Sequence, residues 1–193
     1  MAEHVFETTS SETLYTGKIF ALRRDQVRMP GGKDVTREVV EHFGAVAVVA
    51  MDDDGNIPMV YQYRHALGRR LWELPAGLLD VADEAPVAAA ARELAEEVDL
   101  VAGRWNHLVD EHASPGFANE LVHIYLAREL SDVPDSHRHV RDQEEAQLEV
   151  RMVELDDAVA MVLRGEITNA AAVIGLLAAA RARDQGWAGL RPA

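Results

Sequence analysis

Three carboxylates near the middle of the chain carry the most chemistry: Glu93, Glu96 and Glu97, in the run Arg92-Glu93-Leu94-Ala95-Glu96-Glu97-Val98-Asp99-Leu100. At 100° per residue of a helix, Glu97 stands about 40° and Glu96 about 60° from Glu93, in opposite directions, so all three share one surface. Left alone they repel one another and raise their own pKa values. Hard divalent cations such as Mg2+ favour clustered oxygen ligands of this kind, above all where substrate phosphates complete the coordination. The competing reading is a solvated acidic helix face. The glycine loop Gly77-Leu-Leu-Asp-Val-Ala-Asp-Glu84 upstream and Arg92 within the run favour the metal reading.

The elements that must position these groups are legible from pattern. Pro86 to Val98 reads as a helix: it is alanine-rich, Pro86 suits a first helical position, and Val87, Ala91, Leu94 and Val98 form one stripe opposite the charged face. Thr13 to Phe43 is rich in β-branched and aromatic residues and is broken by the turn Met29-Pro30-Gly31-Gly32, which fits two or three strands. Ala45 to Met51 and Ile57 to Tyr63 flank Asp52-Asp53-Asp54-Gly55-Asn56 and read as a hairpin, since Asp-Gly supplies the positive φ that a tight turn demands. That acidic turn is not a calcium loop, because Ala50 and Tyr61 occupy two of the required ligand positions. Trp105 to Ala113 and Leu121 to Ala127 read as paired strands around Ser114-Pro115-Gly116, and Leu148 to Val153 as another. Ser131 to Gln147 is polar without a period and reads as a surface loop; Leu155 to Leu163 and Thr168 to Arg183 read as closing helices.

Composition excludes several function classes. The 193 residues carry 33 acidic against 19 basic side chains, a net charge of −14, and no cysteine. Thiol nucleophiles, disulfides, thiolate zinc sites and iron–sulfur clusters are therefore ruled out. The acidic balance argues against non-specific nucleic-acid binding, which needs Lys and Arg to displace counterions; an anionic substrate would need metal cations to supply positive charge. The opening MAEHVFETTSSE lacks the basic start and apolar stretch of a secretory signal, and the longest apolar stretch, Ala170 to Ala180, is about half the roughly 20 residues that cross a bilayer. A cytoplasmic protein without membrane or nucleic-acid partners is expected. His137 and His139 lack a third ligand at useful spacing and are expected to be solvent-exposed.

The segment from Gly77 to Leu100 resembles the signature of the Nudix hydrolases, G-x5-E-x7-R-E-U-x-E-E-x-G-U with U aliphatic, which cleave nucleoside diphosphates linked to another group. Glu84, Arg92, Glu93, Leu94, Glu96, Glu97 and Leu100 fall in place; one extra residue separates Gly77 from Glu84, and Asp99 stands at the last glycine. That glycine ends the helix in a left-handed conformation, which aspartate adopts less readily but tolerates. Gln62-Tyr63-Arg64, Trp72-Glu73-Leu74-Pro75-Ala76-Gly77, Ser114-Pro115-Gly116-Phe117 and Gly165-Glu166-Ile167-Thr168-Asn169 further resemble the ADP-ribose pyrophosphatase branch, as does Pro115, sixteen residues beyond the place of the signature's final glycine.

The resemblance implies an α+β fold: a Nudix α/β/α sandwich with a mixed sheet over residues 44–193, and a small N-terminal antiparallel β-sheet over residues 1–43, exchanged across a homodimer. It implies Mg2+, with Mn2+ as alternative, held by Glu93, Glu97, the Ala76 carbonyl and Glu96. Arg92 is expected to orient a glutamate through a charge-assisted pair. For Glu84 two roles stand open: binding metal-bound water, or favouring the helix dipole. The general base of this branch comes from the loop before the last strand, which designates Glu145, with Glu144 as runner-up. Arg64 and, from the partner subunit, Arg37 are the expected phosphate contacts, since guanidinium forks match phosphate oxygens. Glu73 would accept hydrogen bonds from adenine or ribose, and Gly116 would let backbone approach the terminal ribose. The implied reaction splits ADP-ribose into AMP and ribose 5-phosphate. The rivals are the same machinery acting on another nucleotide sugar, dinucleotide or oxidised nucleotide, and a non-catalytic ADP-ribose sensor, which would have no need of a metal cluster and base.

Overall fold

The computed structural model describes residues 5–139 and 147–193, which separate into two compact units. In the first, residues up to Gly44 join His112–Leu121. Strands β1 (Glu7–Thr16), β2 (Phe20–Arg28) and β3 (Asp34–His42) form an antiparallel sheet in that order. The turn between β2 and β3 uses Gly31 and Gly32 at φ of 93° and 85°, values that tax a side chain but not glycine. The first strand starts six residues before Thr13, in the polar run Glu7 to Glu12. Its residues are exposed throughout, so it carries no in–out alternation that a sequence pattern could detect, and it is defined by its pairing with β2. The segment after His112 is tied to β3: Val40 donates to the Phe117 carbonyl at 2.7 Å, and the His42 N–H donates to Asn119 Oδ1 at 2.8 Å.

The second unit comprises Ala45–Glu111 and Val122–Ala193. Its strands are β4 (Ala45–Ala50), β5 (Asn56–Arg64), β6 (Arg69–Glu73), β7 (Ala76–Leu78), β8 (Leu100–His112), β9 (Leu121–Asp132), β10 (Glu149–Glu154) and β11 (Arg191–Pro192), with helices α1 (Pro86–Val98), α2 (Leu155–Leu163) and α3 (Ala170–Asp184). One sheet runs β11-β8-β9-β4-β7 and is mixed, since β4 pairs parallel with β9 and antiparallel with β7; the other runs β10-β5-β6. The hairpin between β4 and β5 turns on Asp52, whose Oδ1 accepts from the backbone N–H groups of Asp54 and Asn56 at 3.0 and 2.7 Å, with Gly55 at φ 86°.

The fully apolar strand β4 is buried on both faces, and its residues alternate between two cores as a period of two requires. Val46, Val48 and Ala50 pack with Ala89, Ala90, Leu94 and Val98 of α1; Ala47 and Val49 pack with Leu155 and Ala158 of α2 and with Ala172, Leu176 and Ala179 of α3. Full burial of Leu94 alone contributes about 1.5–3 kcal/mol. Gly175 lets α3 approach the sheet, because a Cβ there would stand 2.9 Å from Leu74 Cδ1 and 3.1 Å from Val49 Cγ2. Both closing helices are capped by side chains: Glu154 accepts from the N–H groups of Asp156 and Asp157, and Asn169 from that of Ala172. No helix among the described residues is long and apolar enough to cross a membrane.

Candidate active site

The carboxylate helix begins with Pro86 at its first turn and ends at Asp99, which adopts the left-handed conformation (φ 59°, ψ 32°) while its N–H donates to the Leu94 carbonyl. A residue other than glycine thus supplies the terminating bend, and the register of the three glutamates is kept. The buried stripe is Ala89, Ala90, Leu94 and Val98, while Val87 and Ala91 are only partly covered. The charged face is not solvated as its composition suggests. Glu93 and Glu97 are 9% and 3% exposed, because β7 approaches the C-terminal half of the helix and covers them.

Each buried carboxylate has a partner that offsets its desolvation. Glu97 Oε2 accepts the backbone N–H of Ala76 at 2.9 Å. Glu93 Oε1 accepts from Arg92 Nη1 at 2.6 Å, and the same nitrogen reaches Glu96 Oε2 at 3.2 Å. The other edge of the Arg92 fork holds Glu84 in two bonds, Nε to Oε1 at 3.2 Å and Nη2 to Oε2 at 3.0 Å. Hydrogen bonding to Glu84, together with the charge of Glu93, raises the Arg92 pKa above its ordinary value against the opposing effect of burial. Reciprocally, the Arg92 hydrogen bonds hold Glu84 below the usual carboxylate range. One guanidinium therefore bonds three carboxylates, and Glu97 beside them is held by a backbone N–H, which leaves an excess of negative charge on oxygen donors. That donor set fits a hard divalent cation.

The backbone beside this cluster is equally specified. The Pro75 carbonyl accepts from Val48 N–H at 2.9 Å, anchoring the entry to β7 against β4, and Ala76 then turns its N–H to Glu97. Gly77 packs against the Glu93 carboxyl so closely that a side chain there would overlap it. The structure thus gathers Ala76, Glu93, Glu96 and Glu97, and adds Glu84 and Arg92.

Arg64 ends β5 and Glu73 ends β6, and the two form a fork: Arg64 Nε donates to Glu73 Oε1 at 2.9 Å and Nη2 to Oε2 at 2.6 Å. Gln62 Nε2 donates to the same Oε2 at 3.3 Å. Glu73 is 2% exposed and Arg64 is exposed, so the buried acid holds an arginine at the surface. In the N-terminal unit, Arg37 is exposed on β3 opposite Asp25 of β2 and donates to the Thr36 carbonyl, and Gly116 lies in an exposed turn closed by Phe117 N–H to the Ser114 carbonyl. Glu144 and Glu145 lie outside the described residues.

His139 is exposed. A different histidine cluster escapes sequence reasoning: His107, Asp110 and His123, whose ligating atoms all lie within 4.8 Å of one another. No spacing rule could have found it, since His123 comes from another strand.

Residues 41–174 match the Nudix domain, and residues 6–40 match the nucleoside diphosphate sugar hydrolase N-terminal domain. The chain is 62% identical to an ADP-ribose pyrophosphatase of Mycobacterium tuberculosis over 100% of its own length and 91% of that protein. It is 42% identical to an ADP-ribose pyrophosphatase of Bacillus subtilis over 85% of this chain and 86% of that one. Among solved structures, a crystal structure of an ADP compounds hydrolase superposes with a TM-score of 0.81 over 96% of this chain and 98% of its own, at 20% identity, a likeness of fold.

Proposed function

Because the chain belongs to the Nudix family, we propose that it hydrolyses the pyrophosphate of ADP-ribose to AMP and ribose 5-phosphate in a Mg2+-dependent reaction. The observation that carries this reading is the excess of carboxylate oxygens gathered at the end of α1 and β7, in a chain so close in sequence to relatives bearing that activity.

Glu93, Glu97, the Ala76 carbonyl and Glu96 would hold the cation, with Mn2+ as the alternative ion. When bound, the cation supplies a lowered pKa for the attacking water and neutralises charge on the pyrophosphate oxygens. Arg92 keeps Glu93 and Glu96 oriented and ties them to Glu84. Glu145, or failing it Glu144, accepts the proton of the attacking water in this reading. Arg64 meets a phosphate oxygen from a position set by Glu73. A carboxylate offers about four acceptor sites, so Glu73 also retains capacity for a nucleoside hydroxyl or amino group. Gly116 permits close backbone approach to the terminal ribose.

We place the enzyme in the cytoplasm, as a homodimer in which Arg37 serves the partner's site. Residues 1–43 are the exchanged sheet and 44–193 the catalytic domain in this reading. Exposed Phe6, Leu14, Tyr15, Ile19 and Phe20 in the N-terminal unit support a sheet that is covered by a second copy.

A panel of substrates with Mg2+ and with Mn2+, products identified by mass, tests the proposal. ADP-ribose should exceed nucleoside triphosphates and diadenosine polyphosphates by at least about tenfold in kcat/KM, about 1.4 kcal/mol. Equal or faster turnover of those compounds, or of another nucleotide sugar, would move the substrate assignment within the family. Tight binding of ADP-ribose without products would establish a sensor instead.

A further inference from the structure

Outside the carboxylate cluster, two imidazoles and a carboxylate converge on the mixed sheet of the second unit. His107 and Asp110 lie on β8 and His123 on β9, the neighbouring strand. His107 Nε2 and His123 Nδ1 each stand 2.7 Å from the same oxygen, Asp110 Oδ1, with the two rings edge-on at a centroid distance of 6.1 Å. The two histidines are half-buried and Asp110 is exposed. None of the three residues belongs to the carboxylate cluster of α1 or hydrogen-bonds to it among the described contacts.

We propose that His107 Nε2, Asp110 Oδ1 and His123 Nδ1 form a second metal site, selective for a borderline transition-metal ion, Zn2+, with water completing the coordination. The donor set decides the class of ion. Imidazole nitrogens suit Zn2+ and its neighbours in the first transition row, whereas the all-oxygen cluster of α1 suits Mg2+. Around a tetrahedral ion about 2.0–2.1 Å from each ligand, neighbouring donor atoms stand about 3.3 Å apart. The two N–O separations of 2.7 Å therefore need to open by less than about 1 Å. Metal replaces the two hydrogens that now lie between nitrogen and oxygen.

Arg191 of β11 sets the terms of that replacement. Its guanidinium, which can only donate, bonds to His107 Nδ1, so Nδ1 is unprotonated and the ring proton resides on Nε2, the atom facing Asp110. Loading through His107 Nε2 moves that proton to Nδ1, and loading through His123 Nδ1 moves its proton to Nε2, so no net proton is released from neutral rings. A protonated His107 Nδ1 faces the Arg191 donor, and the contact is lost. Arg191 is thus a competitor of the metal.

The test uses the intact chain with Mg2+ in large excess to occupy the carboxylate cluster, and Zn2+ as the probe. One equivalent of Zn2+ should shift the imidazole nitrogen resonances of both His107 and His123 in the wild-type protein. In competition with a chromophoric chelator, Asp110→Asn and His123→Gln should each weaken binding at least about tenfold. Arg191→Ala should tighten it. Absence of coupled shifts at the two rings, or Zn2+ affinity lost in Glu93→Gln and retained in Asp110→Asn, would overturn the site and leave the cluster a hydrogen-bonded strut. Unchanged or weaker binding in Arg191→Ala would overturn the competition.

Discussion

Gly77 of β7 stands against the Glu93 carboxyl group of α1 with no room for a side chain: a Cβ on Gly77 would overlap Cδ and Oε1 of Glu93. The glycine is not there for backbone freedom, since its φ is not among the positive ones. It is there because the strand crosses the helix at contact distance, which is also what brings the Ala76 N–H to Glu97. The same close approach that buries two carboxylates therefore aims them.

Gly77→Ala should displace Glu93 and lower kcat by on the order of 10²-fold, the cost of roughly 1 Å of misplacement at a reacting centre. Added to Glu93→Gln it should cost little more, since both act on one carboxylate. Steady-state kinetics of the two single variants and the double variant decide this; full additivity would separate Gly77 from Glu93.

Glu93→Gln and Glu97→Gln should each abolish turnover, by at least about 10³-fold, the several kcal/mol that a cation's charge stabilisation supplies. Both should fold, because a glutamine carbonyl at position 97 still accepts from Ala76 N–H and the crowded carboxylates lose a repulsion. Thermal unfolding with and without Mg2+ gives an independent reading: the ion should raise the wild-type midpoint and leave the variants' nearly unmoved. Near-normal activity in either variant at saturating Mg2+ would refute the metal assignment.

Glu145→Gln should lower kcat by about 10² to 10⁴ with little change in KM, the usual consequence of losing a general base. A larger defect in Glu144→Gln would transfer the role to that residue.

Mixing Arg37→Ala with Glu93→Gln subunits should restore activity if Arg37 reaches the partner's site, since one site of each heterodimer then carries both defects and the other neither. Sedimentation that finds a monomer, or a mixture no more active than its components, would sink the exchange.

The Arg92–Glu84 pair should make stability depend on pH in a stated direction. The folded-state pKa of Glu84 lies below its ordinary value, chiefly through hydrogen bonds from Arg92. Its contribution is therefore present above the unfolded-state pKa and lost as pH falls through the lower, folded-state value. Denaturant midpoints for wild type and Glu84→Gln should differ at about pH 7 and converge as pH falls below the ordinary carboxylate range. A gap that persists at the acid end would mean that Glu84 acts by packing instead of charge.

Much of this protein is written locally. Helical periodicity sets Glu93, Glu96 and Glu97 on one surface, Pro86 opens the helix, Asp99 closes it in the left-handed conformation, and the aspartate-glycine turn joins two buried strands. Those features depend on a few adjacent residues, so a linear pattern contains them. What packs over a surface is not a local quantity. Only the tertiary structure decides that β7 covers the acidic face and buries Glu93 and Glu97, that one arginine serves Glu84, Glu93 and Glu96, and that a buried Glu73 holds Arg64. The polar β1 is a strand by virtue of its partner, having no hydrophobic alternation of its own. The His107–Asp110–His123 cluster is the extreme case: on a flat strand residues three apart point to opposite faces, and the third member belongs to the strand alongside, so its geometry comes from how the sheet is paired.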